Sequence, residues 1–75
     1  MVKEAEQIVD KMLDELKRLR KAKGLSYNQL SERTGIHFST FSLLENKKRS
    51  PTILTCLKLC QALEVRLEDI LRKVR

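Results

Sequence analysis

Seventy-five residues make one domain, of a size that buries only a modest share of its surface. With 41% apolar and 35% charged residues, two Gly and one Pro, the composition favours a helical core. It argues against disorder, and the chain has no apolar run long enough for a membrane span. The net charge of +6 is unevenly spread: residues 1–16 carry 2 basic and 5 acidic groups (−3), residues 17–51 carry 9 and 2 (+7), and residues 52–75 carry 5 and 3 (+2). A basic middle is what a phosphate-facing surface needs, and an ordinary solvated surface is the plain alternative.

In chain order, Ala5, Ile8, Val9, Met12, Leu13, Leu16 and Leu19 recur at helical spacing and predict a long amphipathic helix over Val2–Lys23. Its acids gather early and its bases late, as the helix dipole favours. Gly24 is the expected stop. The acidic, amphipathic N-terminus does not read as a secretory signal. Ser26 opens a second helix, with Gln29 three residues on to complete a capping box. Leu30 is its main inward residue, and Thr34-Gly35 ends it after two turns. A third helix is expected from His37 to Asn46, with Phe41 and Leu44 inward. Lys47-Lys48-Arg49-Ser50-Pro51 reads as a basic loop. Thr52 caps a fourth helix reaching Leu63, with Ile53, Cys56, Leu57, Cys60 and Leu63 as its expected apolar face. A fifth, short helix runs over Leu67–Lys73.

Cys56 and Cys60 lie four apart on one helix, flanked by leucines, and read as small core hydrophobes. A metal site would need more ligands than these and the single His37, so neither metal nor cofactor is expected. Reduced thiols fit a cytoplasmic protein.

The informative stretch is Tyr27–Leu44, two short helices joined at Gly35. That turn needs a left-handed residue, which Gly adopts without a Cβ penalty. Ser31 is the small residue wanted where the two helices cross, and Ile36, Phe41 and Leu44 hold them together. This pattern is the sequence form of a helix-turn-helix, whose second helix enters the major groove of DNA.

Over Leu16–Leu71 the chain resembles the Cro/phage-repressor family of helix-turn-helix domains. The resemblance is carried by Leu16 and Arg20 before Gly24-Leu25-Ser26, by Leu30, Gly35 and Ile36, and by Ser39-Thr40-Phe41-Ser42. Leu44-Glu45-Asn46, Pro51, and Ala62-Leu63-Glu64-Val65 before Leu67 and Ile70 complete the set. It implies an all-α, five-helix, lambda-repressor-like DNA-binding domain. Residues 1–12 extend the first helix beyond what the family requires.

The resemblance implies an internal salt bridge between Arg20 and Glu45. Base contacts fall to Phe38, Ser39 and Leu43, with His37 and Ser42 nearby. Ser39 suits either kind of base edge, and Phe38 suits a thymine methyl. Phosphate contacts fall to Tyr27, Asn28, Thr40, Asn46, Lys47, Lys48 and Arg49. Family members usually dimerise, which points to Val65, Leu67, Leu71 and Val74 as the pairing surface. The first helix, through Val2, Ala5, Val9 and Met12, is a second candidate. Lys47 and Glu64 stand where relatives often have Gly, so each is expected to take a left-handed or an altered cap at a cost of ~1 kcal/mol. Arg66 replaces the usual small cap before the fifth helix.

Three functions compete at this point. The first is a sequence-specific transcriptional regulator of double-stranded DNA, acting as a homodimer. The second is an adaptor that keeps the fold but binds an unidentified protein partner; the apolar Phe38 and Leu43 favour it and the basic middle opposes it. The third is an enzyme, and one His with no Gly-rich phosphate loop and no catalytic constellation argues against it.

Overall fold

A computed structural model of the chain describes residues 2–75, without the side chain of Val2. Five helices follow in order: α1 (Val2–Ala22), α2 (Tyr27–Thr34), α3 (Phe38–Glu45), α4 (Ile53–Ala62) and α5 (Leu67–Val74). No strand occurs among the described residues. α1 packs against α3 and α5, and α2 bridges α3 and α4.

Three helices close the same way. After α1, Gly24 sits at φ +68°, its N–H donates to the Lys21 carbonyl, and the Leu25 N–H reaches back to Arg20. After α3, Lys47 takes φ +58°, with its N–H on Leu44 and that of Lys48 on Leu43. After α4, Glu64 takes φ +59°, with its N–H on Gln61 and that of Val65 on Cys60. Each pair of bonds satisfies carbonyls that a helix end leaves open. Only Gly24 does so without steric cost; Lys47 and Glu64 hold a conformation that disfavours side chains. The Arg66 side chain makes no capping bond at the start of α5.

The core is built on Phe41, Leu30, Leu44 and Leu63, the largest fully buried side chains. Met12, Leu13 and Leu16 seal it from α1, and Leu25, Cys56, Leu59, Cys60, Ala62 and Ile70 complete it. Both cysteines are free and buried, and burial pushes their thiols above the ordinary value. That suppresses the reactive thiolate and suits a packing role. A cavity of about 20 Å³ among Leu13, Leu16, Leu30, Phe41, Leu44 and Leu63 has room for about one water.

Two expectations about faces need correction. On α4, Ile53 and Leu57 are exposed, at 69% and 45%, whereas Leu59 and Ala62 are buried. The helix is apolar nearly all round, so its pattern admits two faces, and contact with α2 and α5 selects Cys56, Leu59, Cys60 and Leu63. On α1, Met12, Leu13 and Leu16 are buried, Val9 and Leu19 pack at the core edge, and Ala5 is exposed. The molecule is elongated, 36 Å along its longest axis against 23 and 20 Å across. No helix among the described residues is long and apolar enough to cross a membrane.

Candidate nucleic-acid interface

The start of α2 is set by a reciprocal cap. The Ser26 hydroxyl accepts from the Gln29 N–H at 3.1 Å, and the Gln29 side chain accepts from the Ser26 N–H at 2.8 Å. The next backbone N–H groups, of Tyr27 and Asn28, lie in the first turn, where no intrahelical acceptor exists. Asn28 is exposed beside them.

The turn to α3 runs through Gly35 at φ +75°, whose N–H donates to the Ser31 carbonyl at 2.8 Å. No heavy atom lies within 4 Å of where a Cβ would sit, so backbone conformation and not crowding calls for glycine here. Thr34, which sequence reasoning passed over, braces the turn from inside. Its buried hydroxyl donates to the Leu30 carbonyl at 2.7 Å and accepts from the Ile36 N–H at 3.1 Å. The only cue in the sequence is a Thr placed four residues after Leu30.

His37 caps α3. Its Nδ1 accepts from the Ser39 N–H at 3.3 Å and lies 2.8 Å from the Ser39 hydroxyl. Its ring stacks on Phe38 with centroids 4.5 Å apart. Phe41 and Leu44 point into the core, which turns Phe38, Ser39, Ser42 and Leu43 outward. Phe38 and Ser39 are exposed; Ser42, Leu43 and Thr40 are half-buried. The outward face is uncharged, because the chain carries no Asp, Glu, Lys or Arg between Arg33 and Glu45. Asn46 closes α3, its side-chain amide donating to the Ser42 carbonyl at 2.9 Å.

One junction orients these pieces. Arg20 Nε donates to Glu45 Oε2 at 2.7 Å and its Nη2 to Oε1 at 3.1 Å, with the two side chains only 13% and 11% exposed. Arg20 also donates to the Leu25 carbonyl at 2.9 Å. Tyr27 joins them: its hydroxyl donates to Glu45 at 2.8 Å, and its ring lies 4.7 Å under the Arg20 guanidinium. The hydrogen bond to Glu45 raises the pKa of Arg20 further, and burial raises that of Tyr27. The junction therefore stays ionised on Arg20 and neutral on Tyr27 at ordinary pH. It binds the ends of α1 and α3 to the start of α2. The Tyr27 hydroxyl is engaged inward here, which leaves its backbone N–H as the outward group.

Beyond α3, Lys47, Lys48 and Arg49 are exposed. Lys48 and Arg49 have no ion-pair partner among the described residues, whereas Lys47 pairs with Asp14 of α1. Val65, Leu67, Leu71 and Val74 are half-buried and packed against the core. The exposed large apolar side chains are instead Phe38, Ile53, Leu54 and Leu57. Of the α1 set, Met12 is buried, Val9 is half-buried, and the Val2 side chain lies outside the described residues.

A two-turn helix set by a left-handed glycine against a second helix, next to a cationic loop, defines the helix-turn-helix class. A family model described as Helix-turn-helix matches residues 16–70, and the chain belongs to this family, of the Cro/phage-repressor type. Two relatives are similar to it. One is "Uncharacterized HTH-type transcriptional regulator y4dJ" of Sinorhizobium fredii (strain NBRC 101917 / NGR234), 42% identical over 48 residues. The matched segment covers 64% of this chain and spans 62% of that protein's length. The other is "Uncharacterized HTH-type transcriptional regulator YgzD" of Bacillus subtilis (strain 168), 32% identical over 59 residues, covering 79% and 89% of the two chains. No solved structure shows significant similarity.

Proposed function

We propose that the protein is a sequence-specific DNA-binding transcriptional regulator that seats α3 in the major groove and acts as a homodimer. The observation that carries this reading is the uncharged outer face of α3, continued directly by a loop of three adjacent cations and held at its C-terminal end to the start of α2 through Tyr27 and Glu45. Phosphates fix position and bases supply specificity, so charge belongs at the flanks and selective neutral contacts in the middle. Asn28 and the Tyr27 N–H would receive one phosphate, as helix N-termini do. Thr40, Asn46, Lys47, Lys48 and Arg49 would receive further phosphates. Phe38 and Leu43 suit thymine methyl groups, and Ser39 and Ser42 suit base edges, with His37 adjoining. Ser39 must first leave His37, a local exchange of one hydrogen bond for another.

One short helix makes few base contacts, and pairing two on a palindrome places their half-sites ~34–36 Å apart. The resemblance puts the pairing surface on Val65, Leu67, Leu71 and Val74. A second surface is favoured by the exposure of Ile53, Leu54 and Leu57, in a stretch from Ser50 to Leu57 that carries no charge. A two-fold interface sets a patch against itself, which an uncharged patch permits without repulsion.

Selection of duplexes from a randomised pool, at two salt concentrations, tests the reading. Enrichment of a palindrome is the expected result. Lys48→Ala should then weaken binding to every duplex and flatten the salt dependence, while Ser39→Ala should change which sequences are enriched. Salt-sensitive binding without enrichment would reduce the protein to a nonspecific DNA binder. No binding at low salt would overturn the reading in favour of a protein adaptor, whose contact would be the exposed Phe38 with Leu43.

A further inference from the structure

The first turns of α1 lie ahead of residue 16, where the helix-turn-helix match begins. They carry Glu6, Asp10 and Asp14 at four-residue intervals, which places the three carboxylates along one side of the helix. That side faces the α3–α4 loop. Asp14 forms an ion pair with Lys47, 33 residues away in sequence. Glu6 and Asp10 line a groove with Ala5, Val9, Lys47, Ser50 and Pro51. The acidic end of a chain of net charge +6 is thus folded onto its own cationic loop. The fold itself makes little use of these groups. Asp14 is 62% exposed, and an ion pair at such a site contributes at most about 1 kcal/mol.

We propose that Glu6, Asp10 and Asp14 form an intramolecular competitor for the DNA backbone, with Asp14 holding Lys47 in the place of a phosphate and so limiting affinity. The proposal rests on the reading that the α3–α4 loop meets DNA. A phosphate reaching Lys47 must displace the Asp14 carboxylate, and Asp10 and Glu6 stand behind it on the same face. Their field acts within the ~10 Å over which charges remain effective at 0.1 M salt. Lys48 and Arg49, which have no ion-pair partner among the described residues, give up no such contact. The three cations of the loop are therefore unequal: two are ready for DNA and one is already occupied.

The test measures binding to a mixed-sequence 20-base-pair duplex by fluorescence anisotropy from 0.05 to 0.2 M salt. Wild type is compared with Asp14→Asn and with Glu4→Gln. Each variant adds one unit of positive charge, but Glu4 lines a different groove, with Lys3, Gln7, Ile8, Lys11, Val74 and Arg75. Releasing Lys47 for one further phosphate should steepen the salt slope by about 0.9 and tighten binding up to about eightfold at 0.1 M salt. Glu4→Gln should change affinity less than about twofold, as a remote charge does under screening. In a Lys47→Gln background, Asp14→Asn should leave the slope unchanged. Equal shifts in Asp14→Asn and Glu4→Gln would overturn the proposal, because net charge alone would then account for both. Weaker binding in Asp14→Asn would also overturn it, since the pair would then be positioning Lys47 for DNA. Failure of wild type and all variants to bind at any salt would sink the DNA reading itself and this proposal with it. Thermal unfolding of each variant confirms that the bundle is intact.

Discussion

α1 makes two ion pairs to the region of α3, and they differ in kind. Arg20–Glu45 is nearly enclosed, doubly hydrogen-bonded, and shared with Tyr27 and the Leu25 carbonyl. Lys47–Asp14 is a single contact between side chains 34% and 62% exposed. The enclosed pair must persist, because either charge left alone there would be desolvated without compensation. The exposed pair can be exchanged at little cost, because water solvates both ions when they part. One helix thus holds a structural contact at its C-terminal end and an exchangeable one nearer its middle. The difference comes from burial and not from charge.

That contrast is most directly broken at Glu45. Glu45→Ala leaves Arg20 and Tyr27 without their common acceptor and should destabilise the domain by about 3 kcal/mol, read as the loss of unfolding free energy in urea. An effect as small as that of an exposed pair would show that the junction is solvated in solution. Tyr27→Phe keeps the ring over Arg20 and removes only the hydroxyl, so about 1 kcal/mol should be lost in the same titration. A larger loss would mean that the Tyr27 hydroxyl organises Arg20 and Glu45 and does not merely join them.

A pH-dependent effect is expected at Glu15, which sharpens the comparison. Hydrogen bonds from Arg18 and then from Lys73 lower its pKa from 4.5 to about 2. The Lys73 bond, at 2.8 Å, ties α1 to α5. A carboxylate held below its unfolded value stabilises the fold fully above pH 4.5 and loses that contribution as pH falls towards 2. Glu15→Gln should therefore be less stable than wild type at pH 7, with a deficit that closes on acidification, followed by urea midpoints across pH. A constant deficit would assign the role of Glu15 to packing.

Much of the fold was legible because it rests on short-range chemistry. The Ser26–Gln29 cap, the left-handed Gly24 and Gly35, and the His37-to-Asn46 limits of α3 each depend on residues within a few positions of one another. The left-handed Lys47 and Glu64 were legible only through the resemblance, since neither residue favours that conformation on its own. The candidate site was legible as a set of positions and less so as chemistry. Tyr27, read as a phosphate ligand, has its hydroxyl on Glu45, and Ser39 has its hydroxyl beside His37. The exposed Ile53, Leu54 and Leu57 were hidden within an apolar helix that offers two faces.

By itself, then, the sequence determined five helices, the Ser26 and Thr52 caps and the order in which the helices occur, because periodicity and capping are local properties of the chain. The tertiary structure alone decided which face of α4 enters the core, which hydroxyls turn inward, and that Asp14 meets Lys47. These outcomes depend on which surfaces compete for burial and which charges remain in water, and both are settled between residues that are distant in sequence.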